Sequence, residues 1–408
     1  MNNPVRCLAC GSDKPFDLFS LGRIPPVNGF SASSNSDNAL PLDVRVCVNC
    51  WLCQLKEVPD PEHLFRDYKH FSSASKGNLQ HLESVANTLV PDTPVAGQPM
   101  ALEIGCNDGS LMELLRKTGY DCIGVDPAVN MQKIHEEKGL SVVHDFFDER
   151  LAEDLLRSKG PFELIVALNV LAHFPTFMSA FKGIRALLAP RGILHLEVAD
   201  ATETLANGRF DTIYHEHVCN YTLTSIDAVL RLAGLRGIHA EKIDTQGGSL
   251  RVLAVRDDSD VEIRETYRTL LERDQTEGVN TKEFYLDVKA KTEASISNLT
   301  AAYADFCLDE APVLLLGAPA RGVVMCNSTG LRNISNLHCI DDTPAKHGCV
   351  IPGTEIPVGG WEVVKTTGAN KAILLSWNYR ESMLSRLAEN GFTGQVLIPL
   401  PETEIVTI

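Results

Sequence analysis

One stretch of the sequence, QPMALEIGCNDGSLMELLRK over residues 98–117, constrains the fold more than any other. The apolar run at 101–104 predicts a buried strand, and the spacing of apolar residues in LMELLRK predicts a helix. The loop between them contains Gly105 and Gly109, and a chain needs glycine where its backbone turns sharply or meets a ligand. Strand, glycine loop and helix in this order predict the first unit of a doubly wound α/β sheet.

Acidic and polar residues follow the next predicted strands. Asp126 ends the strand DCIGVD, about twenty residues after the glycine loop, which is the spacing of a carboxylate that grips a ribose diol. Asp145 and Phe146 follow the strand SVVH, and we expect them to face an adenine amine and ring, although a surface carboxylate is the alternative for Asp145. The strand ELIVAL ends at Asn169, and GILHLEV predicts a fifth strand.

The glycine loop has the form E/DxGxxxG and differs from the GxGxxG of nicotinamide-binding folds. The E/DxGxxxG form is typical of S-adenosylmethionine-dependent methyltransferases, and a related fold that holds another nucleotide is the alternative. The predicted cofactor-binding residues are Glu103, Gly105, Asn107, Gly109, Asp126, Asp145, Phe146 and Asn169.

Two short cysteine pairs near the N-terminus, Cys7/Cys10 and Cys47/Cys50, form CxxC…CxxC. Four thiolates at this spacing can bind one tetrahedral Zn²⁺ and leave no open position, so the predicted role is structural. A segment this short buries little apolar core, and a metal would supply the missing stability. Unmetallated thiols or a disulfide pair are the alternatives, and a reducing compartment disfavours the disulfide.

The composition narrows the class of protein. A chain of 408 residues allows two or three domains, and its net charge of -16 disfavours nucleic-acid binding, which depends on clustered Lys and Arg. The first residues, MNNPVRCLAC, lack the apolar core of a signal peptide, and no run of 18 apolar residues occurs. We therefore expect a cytoplasmic protein without membrane or nucleic-acid partners.

Residues 214–217, YHEH, place a tyrosine, two histidines and a glutamate side by side. Ligands of doubly wound sheets bind at the carboxyl ends of the strands, so we expect this segment and His173 to border the same crevice. The residues alone allow a transition-metal site, a solvated turn, or a general acid/base cluster in which glutamate supports a histidine. The acid/base interpretation is favoured because a methyl-donor site nearby needs no metal.

The chain resembles, nearly end to end, the sugar C-methyltransferases of the deoxysugar pathways. The resemblance runs through the four cysteines with LGRIPPVNGF between them, EIGCNDGSL, NVLAHFP and TIYHEH. It continues through QGGSLRV, LLLGAPARG, DDTPAKHGCVIPGTEIPV and LLSWNYRE. The family implies an α/β protein with three parts: a zinc-binding domain at 1–66, a Rossmann-like methyltransferase domain at 67–240 with leading helices over 67–96, and a second Rossmann-like α/β domain at 241–408 that helps to bind a nucleotide sugar.

The resemblance also implies a reaction, the methylation of C-3 of a nucleotide-linked 4-keto-6-deoxysugar by S-adenosylmethionine. A base removes the C-3 proton, the enolate oxygen needs a hydrogen-bond donor, and the methyl group moves in line to carbon. We expect His217 to be the base and Glu216 to support it, with Tyr214 and His173 as candidate donors. A sugar O-methyltransferase and a non-catalytic nucleotide-sugar-binding homologue are the alternatives, and we expect a monomer or weak homo-oligomer.

Two positions depart from the family pattern. His70, in YKHFSSAS, stands where relatives carry a tyrosine that touches the sugar, and we expect His70 and Ser72 to bind substrate. Arg321 stands where the family carries a lysine in the C-terminal glycine loop, and a guanidinium there can bind phosphate bidentately. Asn378, in a polar loop after a strand, is a further predicted substrate contact, whereas His215 lies at a variable position and receives no catalytic role.

Overall fold

The computed structural model describes residues 6–34, 38–68, 71–74, 76–89, 98–245 and 247–408, and its strands form three sheets. The strands are β1 Pro15–Ile24, β2 Leu40–Cys47, β3 Cys53–Leu55, β4 Met100–Ile104, β5 Asp121–Val125, β6 Ser141–Val143, β7 Phe162–Leu168, β8 Leu188–Ala199, β9 Cys219–Asn220, β10 Leu235–Ile243, β11 Ser249–Arg256, β12 Val313–Leu316, β13 Leu337–Ile340, β14 Val358–Gly359, β15 Lys371–Leu374, β16 Gln395–Ile398 and β17 Glu404–Thr407.

Helices cover these sheets, and the one that follows the glycine loop spans Ser110–Lys117, which includes the predicted LMELLRK. The α-helices are α1 Pro61–Phe65, α2 Lys76–Thr88, α3 Ser110–Lys117, α4 Gln132–Glu137, α5 Glu149–Lys159, α6 Phe177–Leu187, α7 Leu223–Leu232, α8 Glu265–Thr276, α9 Lys282–Phe306, α10 Ala320–Ser328, α11 Glu362–Thr367 and α12 Arg380–Glu389. No helix of the described residues is long and apolar enough to cross a bilayer.

The first sheet has the order β1-β2-β3-β9 and is antiparallel. Its last strand comes from the middle of the chain, because Cys53 pairs with Asn220 and Gln54 pairs with Cys219. The backbone N–H of Leu55 also donates to the carbonyl of Val218 at 2.9 Å. The N-terminal domain is therefore joined by main-chain hydrogen bonds to the residues that directly follow YHEH.

The middle sheet has the order β10-β11-β8-β7-β4-β5-β6. The five strands β8, β7, β4, β5 and β6 run parallel. The β10–β11 hairpin joins them through β11, which pairs antiparallel with β8. The chain leaves β4 toward β5 and β6 and then returns to β7 on the other side, so the ligand crevice of this doubly wound sheet lies at the carboxyl ends of β4 and β7. The hairpin continues past the boundary predicted at residue 240, and the sheet ends at Arg256.

The third sheet has the order β14-β13-β12-β15-β16-β17 and is parallel except for β17. The chain places β13 and β14 on one side of β12 and β15 and β16 on the other, so the order of the strands reverses at β12. The loop between β12 and α10 therefore lies at the ligand-binding edge of the sheet. The indole N–H of Trp377 donates to the buried Asp211 at 2.8 Å, which ties this domain to the segment that carries YHEH. The α/β fold class predicted from the sequence is confirmed.

Candidate active site

The glycine loop after β4 folds back onto Asp126 at the end of β5. The N–H of Asn107 donates to Oδ2 of Asp126 at 2.8 Å, and the N–H of Ala128 donates to Oδ1 at 2.9 Å. Asn107 adopts a left-handed φ of 49°, and the ring of His135 bonds its carbonyl at 2.6 Å. Two main-chain donors thus fix the Asp126 carboxylate at the crevice.

Both loop glycines have left-handed backbones, but for different reasons. A Cβ on Gly105 (φ +73°) would lie 2.5 Å from Cγ2 of Val170, so the loop packs directly against the residue that follows Asn169. A Cβ on Gly109 (φ +74°) would lie 2.2 Å from Cδ1 of Leu140. Gly109 caps helix α3 and is absent from the cavity lining, so its role in the described structure is to shape the loop.

A single cavity of about 690 Å³ opens at the carboxyl ends of β4, β5 and β7 and receives residues from all three domains. The residues predicted from sequence that line it are Ser72, Glu103, Gly105, Asn107, Asp126, Asp145, Phe146, Asn169, His173, Tyr214, Glu216, His217, Arg321 and Asn378. His70 lies outside the described residues. Ser72 sits on the glycine loop, since its N–H donates to the side-chain oxygen of Asn107 at 2.8 Å.

One end of the cavity is bordered by Asp145 and Phe146. The guanidinium of Arg66 lies 4.8 Å from the centre of the Phe146 ring, and one of its nitrogens lies 3.7 Å from Asp145. The Asp145 side chain is 40% exposed, so it is accessible to a ligand despite this ion pair. A flat apolar ring beside a carboxylate suits the predicted adenine.

The YHEH segment folds so that Tyr214 and His217 bond each other. The Tyr214 hydroxyl lies 2.7 Å from Nε2 of His217, and Nδ1 of His217 lies 2.9 Å from the carbonyl of Thr212. A carbonyl only accepts, so Nδ1 carries the proton and Nε2 accepts from the tyrosine. The His173 ring stacks on the His217 ring at 5.2 Å between centres. The Phe65 ring also stacks on the His173 ring, at 5.4 Å between centres.

Removal from water sets the charge states of these rings. It lowers the pKa of His217 to about 3, with His173 adding to the effect, and lowers the pKa of His173 to about 4. It raises the pKa of Tyr214 well above its usual value. At neutral pH all three groups are therefore uncharged, and His217 keeps a lone pair on Nε2.

Glu216 faces the N-terminal domain rather than its neighbour His217. Its Oε1 accepts from Nδ2 of Asn28 at 2.6 Å, and burial raises its pKa to about 7 in spite of that bond. His215 is buried, and its Nε2 lies 3.3 Å from the carbonyl of Pro41. Through these contacts YHEH packs against the N-terminal domain.

The C-terminal domain contributes cationic and polar groups to the cavity. The Arg321 guanidinium lies 5.6 Å from the centre of the Trp377 ring. Burial raises the pKa of nearby Asp211, and the positive charge of Arg321 opposes that rise only in part. Nζ of Lys346 bonds Asp341 at 3.2 Å, and both line the cavity. Asn378, in the loop after β15, also lines the cavity.

The four predicted metal ligands come together. The Sγ atoms of Cys7, Cys10, Cys47 and Cys50 all lie within 4.8 Å of one another, with 3.5 Å between Cys7 and Cys50 and between Cys10 and Cys47. A tetrahedral zinc with bonds of about 2.3 Å needs sulfurs about 3.8 Å apart, so the cluster fits that ion. Cys53 is buried outside it.

The two turns that present the thiols close with the same main-chain hydrogen bond, from Gly11 N–H to the Cys7 carbonyl and from Trp51 N–H to the Cys47 carbonyl. Gly11, after the first pair, has φ +68°, and Trp51, after the second, has φ 58°. A left-handed tryptophan is strained. Tyr285 holds it, because the two rings stack at 5.9 Å with 3° between their planes and the tyrosine hydroxyl donates to the Trp51 carbonyl at 2.9 Å.

Several residues that line the cavity or hold its glycine loop were not singled out from the sequence. Asn28 lies within LGRIPPVNGF, so the resemblance marked its segment without assigning it a role. His81 lies on α2, where a lone histidine gives no signal, and His135 holds the glycine loop from α4. These contacts join elements far apart in the chain, and only the fold brings them together.

Three family models match successive parts of the chain. A "Putative zinc binding domain" matches residues 7–65, a "Methyltransferase domain" matches 92–240, and a "C-methyltransferase C-terminal domain" matches 244–401. Their order is the order of the three sheets.

The chain is also similar to characterised enzymes. It is 29% identical over 407 residues to the C-methyltransferase NovU of Streptomyces niveus. This match covers 98% of this chain and 96% of NovU. It is 28% identical over 142 residues to a ubiquinone biosynthesis O-methyltransferase of Histophilus somni. This second match covers 33% of this chain and 57% of that enzyme.

One solved structure overlaps less than half of the chain. Magnesium protoporphyrin IX methyltransferase from Synechocystis, with bound S-adenosylmethionine, is 21% identical with a TM-score of 0.33, and the overlap covers 44% of this chain and 80% of that one. The assignment depends instead on the end-to-end match to NovU and on the three domain matches in order. The chain belongs to the C-methyltransferases that combine a zinc-binding domain, a methyltransferase domain and a C-methyltransferase C-terminal domain.

Proposed function

We propose that this enzyme transfers a methyl group from S-adenosylmethionine to C-3 of a nucleotide-linked 4-keto-deoxysugar. The observation that carries the proposal is the neutral Tyr214–His217 pair, which shares one cavity with the glycine loop and with Arg321 and Lys346 of the C-terminal domain. The pair can handle a proton, the loop can hold a methyl donor, and the two cations can bind phosphates.

The donor site is suited to a nucleoside attached to a cationic chain. Asp126, fixed by two N–H donors, would hold the ribose diol, and Phe146 and Asp145 would hold the adenine. Buried Glu103 places a carboxyl at the end of β4, and burial raises the pKa of that carboxyl well above its usual value. S-adenosylmethionine, when bound, supplies a methyl group already activated by its sulfonium, so the protein need only position and deprotonate the acceptor.

The base is His217 acting together with Tyr214. The lone pair on Nε2 is taken by the Tyr214 hydroxyl, so we infer that the C-3 proton passes to the tyrosine oxygen as the tyrosine proton passes to Nε2. The carbonyl of Thr212 then stabilises the imidazolium through Nδ1–H. Burial disfavours a charged His217 ring before the reaction. The negative charge of the enolate that forms nearby favours the charged ring.

The enolate oxygen needs a donor, and Glu216 is suited to the role. With one oxygen held by Asn28, its other oxygen can carry a proton, and its pKa of about 7 keeps a large fraction of it neutral near physiological pH. A carboxylic acid kept neutral by burial is a strong donor to an enolate. Neutral His173, stacked on His217, is the second candidate donor.

We also propose that the four cysteines bind zinc as a structural ion. Four thiolates saturate the metal, and none of the four cysteines lines the cavity. Its contribution to activity is indirect, because the same domain supports YHEH through Asn28 and Pro41.

The proposed reaction is tested by incubating the enzyme with S-adenosylmethionine and a panel of 4-ketosugar nucleotides, followed by mass spectrometry. We expect one member of the panel to gain a single methyl group that survives strong acid ether cleavage. A methyl lost in that treatment would instead indicate a sugar O-methyltransferase. Donor binding without methylation of any panel member would contradict the proposal.

Gly105→Ala should weaken donor binding about tenfold or more. The left-handed backbone costs any L-residue about 1–2 kcal/mol, and the added Cβ meets Val170 at 2.5 Å. Calorimetric titration with S-adenosylhomocysteine measures the loss. The double variant Gly105→Ala/Val170→Ala removes the clash but leaves the strain, so it should recover part of the affinity, and equal affinity of Gly105→Ala and wild type would be inconsistent with this loop geometry.

Glu216→Gln should remove one limb of the pH profile. If neutral Glu216 donates to the enolate, kcat falls as pH rises through about 7, where the carboxyl loses its proton. Glutamine keeps an N–H donor but does not titrate, so the variant should retain part of the activity with a flat profile across that range. If kcat instead rises through pH 7 in the wild type and is lost in the variant, Glu216 is the base.

A further inference from the structure

Trp377 belongs to the C-terminal domain, but its indole bonds a residue of the methyltransferase domain. Its Nε1–H donates to Oδ2 of Asp211 at 2.8 Å, and Asp211 is completely buried. Oδ1 of Asp211 has no hydrogen-bond partner among the described residues. The Asp211 side chain is therefore held in place from the neighbouring domain.

The turn that carries Asp211 also holds the proton-transfer pair. Phe210–Thr212 forms one short 3-10 turn, and all three of its residues are buried. The Thr212 carbonyl accepts from Nδ1 of His217 at 2.9 Å, which leaves the lone pair of Nε2 for the Tyr214 hydroxyl, 2.7 Å away. A single step along the chain thus separates the contact with the indole from the contact that selects the tautomer of His217.

The indole ring makes a second kind of contact. The guanidinium groups of Arg209 and Arg321 each lie 5.6 Å from the centre of the Trp377 ring. Cation–π contacts of this kind depend on the aromatic ring and not on its N–H. A substitution that keeps an aromatic ring and removes the N–H therefore tests the hydrogen bond to Asp211 separately from the contact with Arg321.

We infer that Asp211 and Trp377 are positioning residues for the proton transfer: their hydrogen bond fixes the 210–212 turn, and the turn holds His217 in the tautomer that accepts a proton from Tyr214. A histidine whose proton moves to Nε2 points a donor at the tyrosine oxygen and cannot take its proton. The inference rests on the proposed function, since it takes His217 as the base. It gives the C-terminal domain a part in the proton transfer in addition to binding the nucleotide sugar.

Trp377→Phe keeps an aromatic ring beside Arg321 but loses the N–H. We expect kcat for deuterium exchange at C-3 to fall about a hundredfold, which is the cost of a displacement of about 1 Å at a reacting group. The assay uses the 4-ketosugar nucleotide that the wild type methylates. The KM of that nucleotide should stay near the wild-type value, because the contact between Arg321 and the ring remains. Affinity for S-adenosylhomocysteine should also be unchanged.

A second readout needs no substrate. In the ¹⁵N spectrum of histidine-labelled protein at neutral pH, wild-type His217 should show a protonated Nδ1 and an unprotonated Nε2. Its signals are identified by their absence from the spectrum of His217→Asn. Trp377→Phe should shift part of the population to the tautomer with the proton on Nε2. A bond that contributed to stability alone would change the melting temperature and not the tautomer.

Trp361→Phe is the matched control. The Trp361 indole donates to Oδ1 of Asp342 at 2.7 Å, and its ring centre lies 4.8 Å from the Arg386 guanidinium, so the same three-residue arrangement recurs in the same domain. Neither Trp361 nor Asp342 lines the cavity. This variant should keep the wild-type tautomer of His217 and the wild-type exchange rate.

Loss of folding is separated from loss of position by changing both partners. Asp211→Leu/Trp377→Phe removes the buried acceptor together with its donor, which leaves neither group unpaired and costs little stability. We expect this double variant to melt close to the wild type and still to show slow exchange and mixed tautomers. Asp211→Asn, whose amide oxygen can accept from the indole, should recover most of the exchange that Asp211→Leu loses.

The outcomes separate this inference from the proposed function. If Trp377→Phe and the double variant exchange at the wild-type rate and keep the Nδ1–H tautomer, the hydrogen bond does not position the base. Equal loss of exchange in Trp361→Phe and Trp377→Phe would also overturn the inference. If the wild type neither methylates nor exchanges any ketosugar nucleotide, the proposed function is wrong, and the tautomer comparison still decides whether the bond positions His217.

Discussion

Replacing His217 with Asn should lower kcat for methyl transfer by about a thousandfold, within the range of 10²–10⁴ that a positioned acid/base group contributes. Asparagine cannot take the proton that Tyr214 passes to Nε2, so no enolate forms. The same variant should lose solvent-deuterium exchange at C-3 of the ketosugar. Its affinity for S-adenosylhomocysteine should stay near the wild-type value, because His217 is not among the residues that we expect to hold the methyl donor.

Two further variants show whether the loss is specific to the proton transfer. Tyr214→Phe removes the other half of the pair, so it should abolish exchange to a similar extent. His215→Asn alters a buried histidine in the same segment that contacts Pro41, so it should cost stability while retaining exchange in the folded protein. Wild-type exchange in His217→Asn would refute His217 as the base.

The second-largest effect is expected from replacing Cys47 with Ser. This substitution should remove the bound metal and destabilise the N-terminal domain. Structural zinc contributes on the order of 10 kcal/mol of binding free energy to small domains that fold around it. We expect a lower melting temperature and a large loss of kcat, since this domain supports Glu216 through Asn28 and His215 through Pro41. Metal analysis should fall from one zinc per chain to near zero.

Cys53→Ser is the matched control for that experiment. Cys53 is a buried thiol on β3 of the same sheet, but it lies outside the four-sulfur cluster. The variant should keep its zinc and most of its activity. Full zinc content in Cys47→Ser, or equal metal loss in both variants, would contradict the four-cysteine site. Chelation of the wild-type protein should reproduce the effect of Cys47→Ser.

The features that the sequence predicts well are local. Gly105, Asn107 and Asp126 follow strands and lie within 21 positions of one another in the chain, and the carboxyl ends of neighbouring parallel strands meet at one edge of a sheet. The CxxC pairs are equally local, because each turn presents two thiols by itself. In the structure Gly105, Asn107 and Asp126 line one cavity, and the four sulfurs form one cluster.

The features that escape sequence reasoning depend on long-range packing. Glu216 was expected to support His217, but its hydrogen-bond partner is Asn28, 188 residues away in the chain, and Tyr214 bonds His217 instead. The middle sheet extends to Arg256, because the β10–β11 hairpin pairs with β8 and no local signal separates it from the following domain. Gly109 matches the motif but shapes the loop from outside the cavity.

Transfer of a ¹³C-labelled methyl group from S-adenosylmethionine to a 4-ketosugar nucleotide, followed by NMR of the product, tests C-3 methylation most directly. The account predicts that the labelled methyl carbon couples through one bond to the C-3 ring carbon. A labelled methyl attached to oxygen, or to any ring carbon other than C-3, would contradict it.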